Sequence, residues 1–202
     1  MGFRGAVRIG AMMAIACAAV PAVAQFSDRY NFLKAIKDRD GTKTLEYLNK
    51  PGTPELNSRD SATGETALHV VVKRHDTQWL NALLARNANT ELRDNAGETP
   101  LLAAARLSDA DCLRILLDAG AQPNATDGQG ETPLVIAVQH RDLPTVRLLL
   151  AHGADPKIAD RIAGKNARDY AAEDPRGGTA VLKLLDEAKP KVAKQVAGPP
   201  QH

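Results

Sequence analysis

The chain has 202 residues, 44% of them apolar but only 3% aromatic, and its 26 Lys and Arg nearly balance 24 Asp and Glu. That length suits one domain with tails, and the balance of charge gives no reason to expect a nucleic acid or anionic membrane as partner. A core short of large rings must be laid down in thin layers of Leu, Val, Ile and Ala, as stacked helix pairs allow.

The N-terminus reads as an export signal. Arg4 and Arg8 precede an apolar run over residues 9–20, and Ala22-Val23-Ala24 has the small-x-small form of a cleavage site. The run is short for crossing about 30 Å of hydrocarbon, so residues 1–24 are expected to be a signal peptide rather than an anchor. Cys17 does not make a lipoprotein signal, because Ala14-Ile15-Ala16 lacks the Leu-like residue that opens one. Cleavage removes two of the 26 basic residues and leaves 24 against 24 acidic ones. It also leaves Cys112 as the only cysteine, so no internal disulfide can form. The expected location is the bacterial periplasm, with secretion as the alternative, as a monomer with no membrane span.

Residues 27–59 hold two short helical patterns. Tyr30, Phe32, Leu33 and Ile36 are expected to form one apolar face, and Leu45 and Leu48 a second, with Asp38-Arg39-Asp40-Gly41 turning between them. Lys34, Lys37, Lys43 and Lys50 face outward, and Pro51-Gly52-Thr53-Pro54 makes a turn.

From residue 60 onward one phrase returns. Gly64-Glu65-Thr66-Ala67-Leu68, Gly97-Glu98-Thr99-Pro100-Leu101 and Gly130-Glu131-Thr132-Pro133-Leu134 follow one another at 33 residues, and a worn copy, Gly164-Lys165-Asn166-Ala167-Arg168, comes 34 later. Each of the first three is trailed by a leucine pair and a small turn, ending at Asn87-Ala88, Gly120-Ala121 and Gly153-Ala154. This wording at this period resembles the ankyrin repeat. The resemblance implies an all-α solenoid of stacked helix pairs with short β-hairpin loops. Three full repeats, at residues 60–93, 94–126 and 127–159, stand between degenerate caps at 27–59 and 160–188. The domain then covers residues 25–188, and 189–202 reads as a disordered tail of Lys, Pro, Gly and Gln.

Local chemistry fits those repeats. Thr66, Thr99 and Thr132 are placed to cap the first helix of each pair, with Pro100 and Pro133 at the first helical position. Leu101, Ala104 and Ala105 make an inner helix face, and Leu113, Leu116 and Leu117 an outer one; Leu134, Ala137, Val146, Leu149 and Leu150 repeat the arrangement. Asn87, Gly120 and Gly153 suit a left-handed helix end. Between the paired helices, where the family has Gly, stand His75, Ser108 and Arg141, each expected to cost about 1 kcal/mol if the geometry is kept. Arg168 and Asp169 replace Leu68 and His69 of the first repeat, which marks a terminal unit held by Tyr170, Ala171, Val181, Leu182 and Leu185. Asp60, Asp94, Asp127 and Asp160 are expected to bind turn N–H groups, and Glu65, Glu98 and Glu131 to favour helix N-termini. His69 reads as a structural hydrogen bonder and Cys112 as a packed thiol. No phosphate-loop wording, metal-ligand spacing or base-nucleophile set is found, so no cofactor and no catalytic residues are assigned.

The resemblance implies a non-enzymatic module that binds a protein partner through loop tips and the concave inner-helix face. On the loops those positions hold Arg59, Ser61, Arg93, Asn95, Gln129 and Arg161. On the helix ends they hold Lys73, Arg74, Arg106, Leu107, Gln139 and His140. Lys73, Arg74 and Arg106, extended by His140 and Arg141, are expected to form a basic stripe that meets an acidic patch on the partner. The alternative function is an accessory factor that protects or matures an envelope enzyme.

Overall fold

Two kinds of reversal build this chain, and each is set by one residue. A computed structural model describes residues 22–50 and 54–188. The helices are α1 (Ala22–Lys37), α2 (Gly41–Leu48), α3 (Ala67–Lys73), α4 (Thr77–Leu84), α5 (Pro100–Arg106), α6 (Ala110–Asp118), α7 (Pro133–Gln139), α8 (Leu143–Ala151), α9 (Ala167–Glu173) and α10 (Gly178–Glu187), with a 3-10 turn over Pro54–Asn57. The odd-numbered helices stack as an inner row, and α4, α6, α8 and α10 as an outer row. Among the described residues the fold is therefore an all-α solenoid. The expected signal peptide lies outside them up to residue 21, as does the expected tail at 189–202. The helix α1 takes in Ala22, Val23 and Ala24.

The first reversal joins inner to outer helix. Arg39, His75, Ser108 and Arg141 all have φ between 53° and 59°, the left-handed region. Each closes the same double bond. His75 N–H donates to the Val72 carbonyl (2.9 Å) and Asp76 N–H to Val71 (2.9 Å), and the pairs at Ser108–Asp109 and Arg141–Asp142 repeat it. This is a helix end closed by a left-handed residue, the following N–H reaching back across the last turn. The aspartate that completes it then caps the next helix at once: Asp40, Asp76, Asp109 and Asp142 accept from the N–H of Lys43, Trp79, Cys112 and Thr145. The outer helices end in the same way at Asn87, Gly120 and Gly153, with Ala88, Ala121 and Ala154 buried just beyond.

The second reversal is the finger that joins one repeat to the next. The Asp60 carboxylate accepts from the N–H groups of Ala62 and Thr63, Asp94 from Ala96 and Glu98, Asp127 from Gln129 and Glu131, and Asp160 from Ile162 and Ala163. The aspartates thus bind turn N–H groups as expected. Expected β-hairpins do not form: the described residues hold a single isolated bridge, Ala159 to Asn166, and no strand. Each finger has only two or three residues between its aspartate and its glycine, too few for a ladder. Neighbouring fingers instead share one backbone bond each: Asn95 N–H to Thr63 (3.0 Å), Gly128 to Ala96 (3.3 Å) and Arg161 to Gln129 (2.9 Å).

The core is the thin aliphatic layering that the composition calls for. Leu68, Leu101, Leu134, Leu80, Leu113 and Leu149 are all within 2% of full burial, and Ala104, Ala105 and Ala137 let inner helices approach. At the N-terminal unit the expected face needs correction. Phe32, Leu33, Ala35 and Ile36 are buried, but Tyr30 is 68% exposed. Tyr30 sits two positions from Phe32, about 200° around the helix, so both cannot face inward. Leu45 is likewise exposed, and Thr44 points inward in its place beside Leu48, which is buried as expected. At the other end Gly178 leaves no room for a side chain, since a Cβ would stand 1.9 Å from the Ala171 carbonyl. Tyr170 and Leu182 are only partly buried there, whereas Ala171, Val181, Leu184 and Leu185 are buried.

Leu134 belongs to the central inner helix and is 1% exposed. Its truncation to Ala should cost about 2–5 kcal/mol, the usual range for a buried leucine. Equal denaturation midpoints for Leu134→Ala and the parent would show that the layer is not packed in this way.

Candidate protein-binding face

The concave face is built where each finger base meets the end of its own inner helix. A rung eight residues long recurs there. Lys73 Nζ donates to Glu65 (2.7 Å), Arg106 to Glu98, Gln139 to Glu131 (3.0 Å) and Lys165 to Glu173 (2.7 Å). Glu65, Glu98 and Glu131, each one residue before a helix N-cap, therefore also serve the rungs. Arg106 also reaches Asp127 and Glu131 of the next repeat, and Lys37 reaches Asp60 at 2.5 Å. The Asp60 carboxyl is held well below the usual carboxylate range, by the Lys37 ammonium first and by turn N–H groups after it.

This geometry corrects the basic stripe. Lys73 and Arg106 are matched by carboxylates of this chain, so the stripe has little charge left to offer. Arg74 is 16% exposed and turns its guanidinium onto the Ile36 and Lys37 carbonyls at the end of α1, where a cation suits the helix dipole. Arg141 leaves the face as well. Its Nε and Nη2 meet the two oxygens of Asp174 at 2.5 and 2.9 Å. The expected loop residues divide in the same way. Arg59 donates to the Gly64 carbonyl and Arg93 to the Gly97 carbonyl, each on its own finger, while Arg93 also reaches the Thr126 carbonyl and the Asn95 amide the Ala62 carbonyl, contacts that tie neighbouring fingers together. Leu107, Gln129, His140 and Arg161 keep exposed side chains. Leu107 and His140 end the inner helices α5 and α7, while Gln129 and Arg161 stand on the third and fourth fingers. Ile162, 75% exposed on the fourth finger, was not singled out in the sequence. Its signal was an isoleucine in a finger whose counterparts offer Ala62, Ala96 and Gln129.

The remaining reactive side chains are taken up by structure. His69 is fully buried: its Nε2 lies 2.9 Å from the Glu98 carbonyl of the next repeat, and its Nδ1 meets the Thr66 N–H (3.2 Å) and hydroxyl (2.9 Å). That pattern puts the proton on Nε2, and burial pushes the imidazole pKa down. In the last unit Asp169 takes over one half of this task, accepting from the Asn166 N–H, where no further repeat follows among the described residues. Cys112 is buried, and burial first, then the Asp109 carboxylate, raises its thiol far above the usual range. Such a thiol is a poor nucleophile. No group of three or more His, Cys, Asp or Glu among the described residues is placed to hold a metal ion. No described helix is long and apolar enough to cross a membrane.

The non-glycine joints gain contacts for their strain. His75 Nδ1 lies 2.7 Å from Asp109 of the next repeat, and Arg141 holds Asp174. Ser108 is too short to do either. Asp142, which corresponds to Asp109 one repeat later, keeps a buried Oδ2 without a partner. Ser108→Arg should supply that partner and raise stability by about 1 kcal/mol, a typical value for a hydrogen bond to a charged group after side-chain ordering. An unchanged or lower thermal midpoint for Ser108→Arg, measured beside Arg141→Ala as the opposite case, would show that the joints are not coupled through these carboxylates.

Comparison with known proteins agrees with this architecture. A family model described as ankyrin repeats (3 copies) matches residues 32–127, and a second, ankyrin repeats (many copies), matches 109–171. No curated protein matches the chain. Repeats of this kind generally mediate protein–protein interaction. The two matches overlap and together run from the first unit into the last, on a chain whose helix pairs, fingers and joints recur at the same period: it belongs to the ankyrin repeat family.

Proposed function

We propose that this protein is an exported, non-enzymatic docking module of the periplasm that holds a protein partner against its concave face. The supporting observation is the division of labour on that face. Lys73, Arg74, Arg93, Asn95, Arg106 and Gln139 are engaged within the solenoid, while Leu107, Gln129, His140, Arg161 and Ile162 stand exposed along repeats two to four. Apolar groups framed by polar ones are what a hot spot and its rim require. The surviving face is close to neutral, so shape and hydrogen bonding select the partner more than an acidic patch does. Export rests on the sequence: Arg4, Arg8, the apolar run and Ala22-Val23-Ala24.

Two measurements test this reading. Capture from periplasmic extract should yield a specific protein with the parent chain and lose it with Leu107→Glu and Ile162→Glu together, while the thermal midpoint stays nearly the same because both side chains are exposed. Capture unchanged by that pair would remove the concave face as the site. Intact mass of the periplasmic protein should begin at Gln25, and recovery of the full chain from the cytoplasm alone would overturn the export reading.

A further inference from the structure

The N-terminal end of the solenoid is unlike any of its internal junctions. The helix α1 has 16 residues, whereas α3, α5, α7 and α9 have seven each. It runs straight on where each later repeat has a finger. The second, third and fourth fingers each donate one N–H to the finger before, from Asn95, Gly128 and Arg161. Ser61 holds the same place in the first finger, one residue after its aspartate. Its N–H has no partner among the described residues. It lines a cleft of about 790 Å³ between α1 and the first finger.

That cleft is built for an anion. Ser58 lines it, is 7% exposed, and has a buried hydroxyl with no hydrogen-bond partner. Two of the lining cations are already matched, Lys34 by Asp38 at 2.7 Å and Lys37 by Asp60 at 2.5 Å. Arg29 is not, and Arg59 uses only its Nε, on the Gly64 carbonyl. Tyr30 and Leu33 add an apolar wall. A free main-chain donor, a buried hydroxyl, two available guanidinium groups and an exposed ring together match an extended peptide bearing carboxylates. Neither end of this chain can provide it. Residues 1–21 and 189–202 carry Arg4, Arg8, Lys189, Lys191 and Lys194 but no Asp or Glu.

We propose that this cleft docks an extended acidic segment of a partner protein. One main-chain carbonyl of that segment accepts from Ser61 N–H and so continues the series of bonds between fingers. Its carboxylates meet Arg29, Arg59 and the Ser58 hydroxyl, as a strand added to a free edge does with main-chain bonds for affinity and side chains for choice. The site shares Lys37 and Asp60 with the N-terminal end of the concave face but includes neither Leu107 nor Ile162.

The probe is a labelled hexapeptide, Val-Glu-Val-Glu-Val-Glu, titrated onto the full chain, with Val-Lys-Val-Lys-Val-Lys as the control. The acidic peptide should bind saturably and shift the Ser61 amide resonance, and added salt should weaken it. Arg29→Glu with Arg59→Glu, and separately Ser61→Pro, should each weaken binding at least tenfold. Leu107→Glu should leave it unchanged. Equal binding of the lysine peptide, an unmoved Ser61 amide, or binding lost in Leu107→Glu would each overturn the proposal. The amide shift is read on the unaltered chain, so misfolding of a variant does not rescue it.

Discussion

Everything in this solenoid depends on a carboxylate at the base of each finger. Asp94, Asp127 and Asp160 are nearly buried, yet each accepts two backbone N–H groups from its own turn. A carboxylate in that position is tolerated because charge-assisted hydrogen bonds replace the water it loses. The bonds fix where the finger turns back, and so where the next inner helix starts. Cations from the preceding repeat then lock on from outside, Lys37 onto Asp60 and Arg106 onto Asp127, while the Tyr170 hydroxyl donates to Asp160 from within the last unit. Local turn geometry and the register between repeats thus rest on the same atoms.

This explains how much could be read without coordinates. Asp60, Asp94, Asp127, Asp160, Asn87, Gly120 and Gly153 act on backbone groups a few residues away, so type and spacing alone told their roles. His69 and Cys112 were legible for a similar reason, since their surroundings repeat with the motif. The left-handed joints at His75, Ser108 and Arg141 were legible too, because a family glycine was missing there. Arg39 makes the same joint and was visible only as part of a turn.

The binding surface was less legible, for a physical reason. Exposure of a long cation depends on what lies within reach of its end, and that is set by folding. Arg74 reaches carbonyls 37 and 38 residues back along the chain, which no local pattern announces. The rungs were within reach of inspection. Glu65 and Lys73, Glu98 and Arg106, and Lys165 and Glu173 stand eight apart with opposite charges each time. Reading Lys73 and Arg106 as a stripe took the cations without their partners. Tyr30 and Leu45 failed because apolar character was counted without asking which residues share an arc of the helix.

The last of those rungs runs the other way. In the repeats the acid stands at the finger base and the cation or amide at the helix end, but Lys165 and Glu173 exchange these places. At two junctions the cation at the helix end also meets the next finger's aspartate, Lys37 on Asp60 and Arg106 on Asp127. Glu173 in that role would set carboxylate against carboxylate, a repulsion felt strongly where both are partly shielded from water. The sign reversal therefore disfavours stacking a further unit of the same wording on this end. It makes the terminal unit a poor template for another repeat and gives the array a polarity in which its members are not interchangeable.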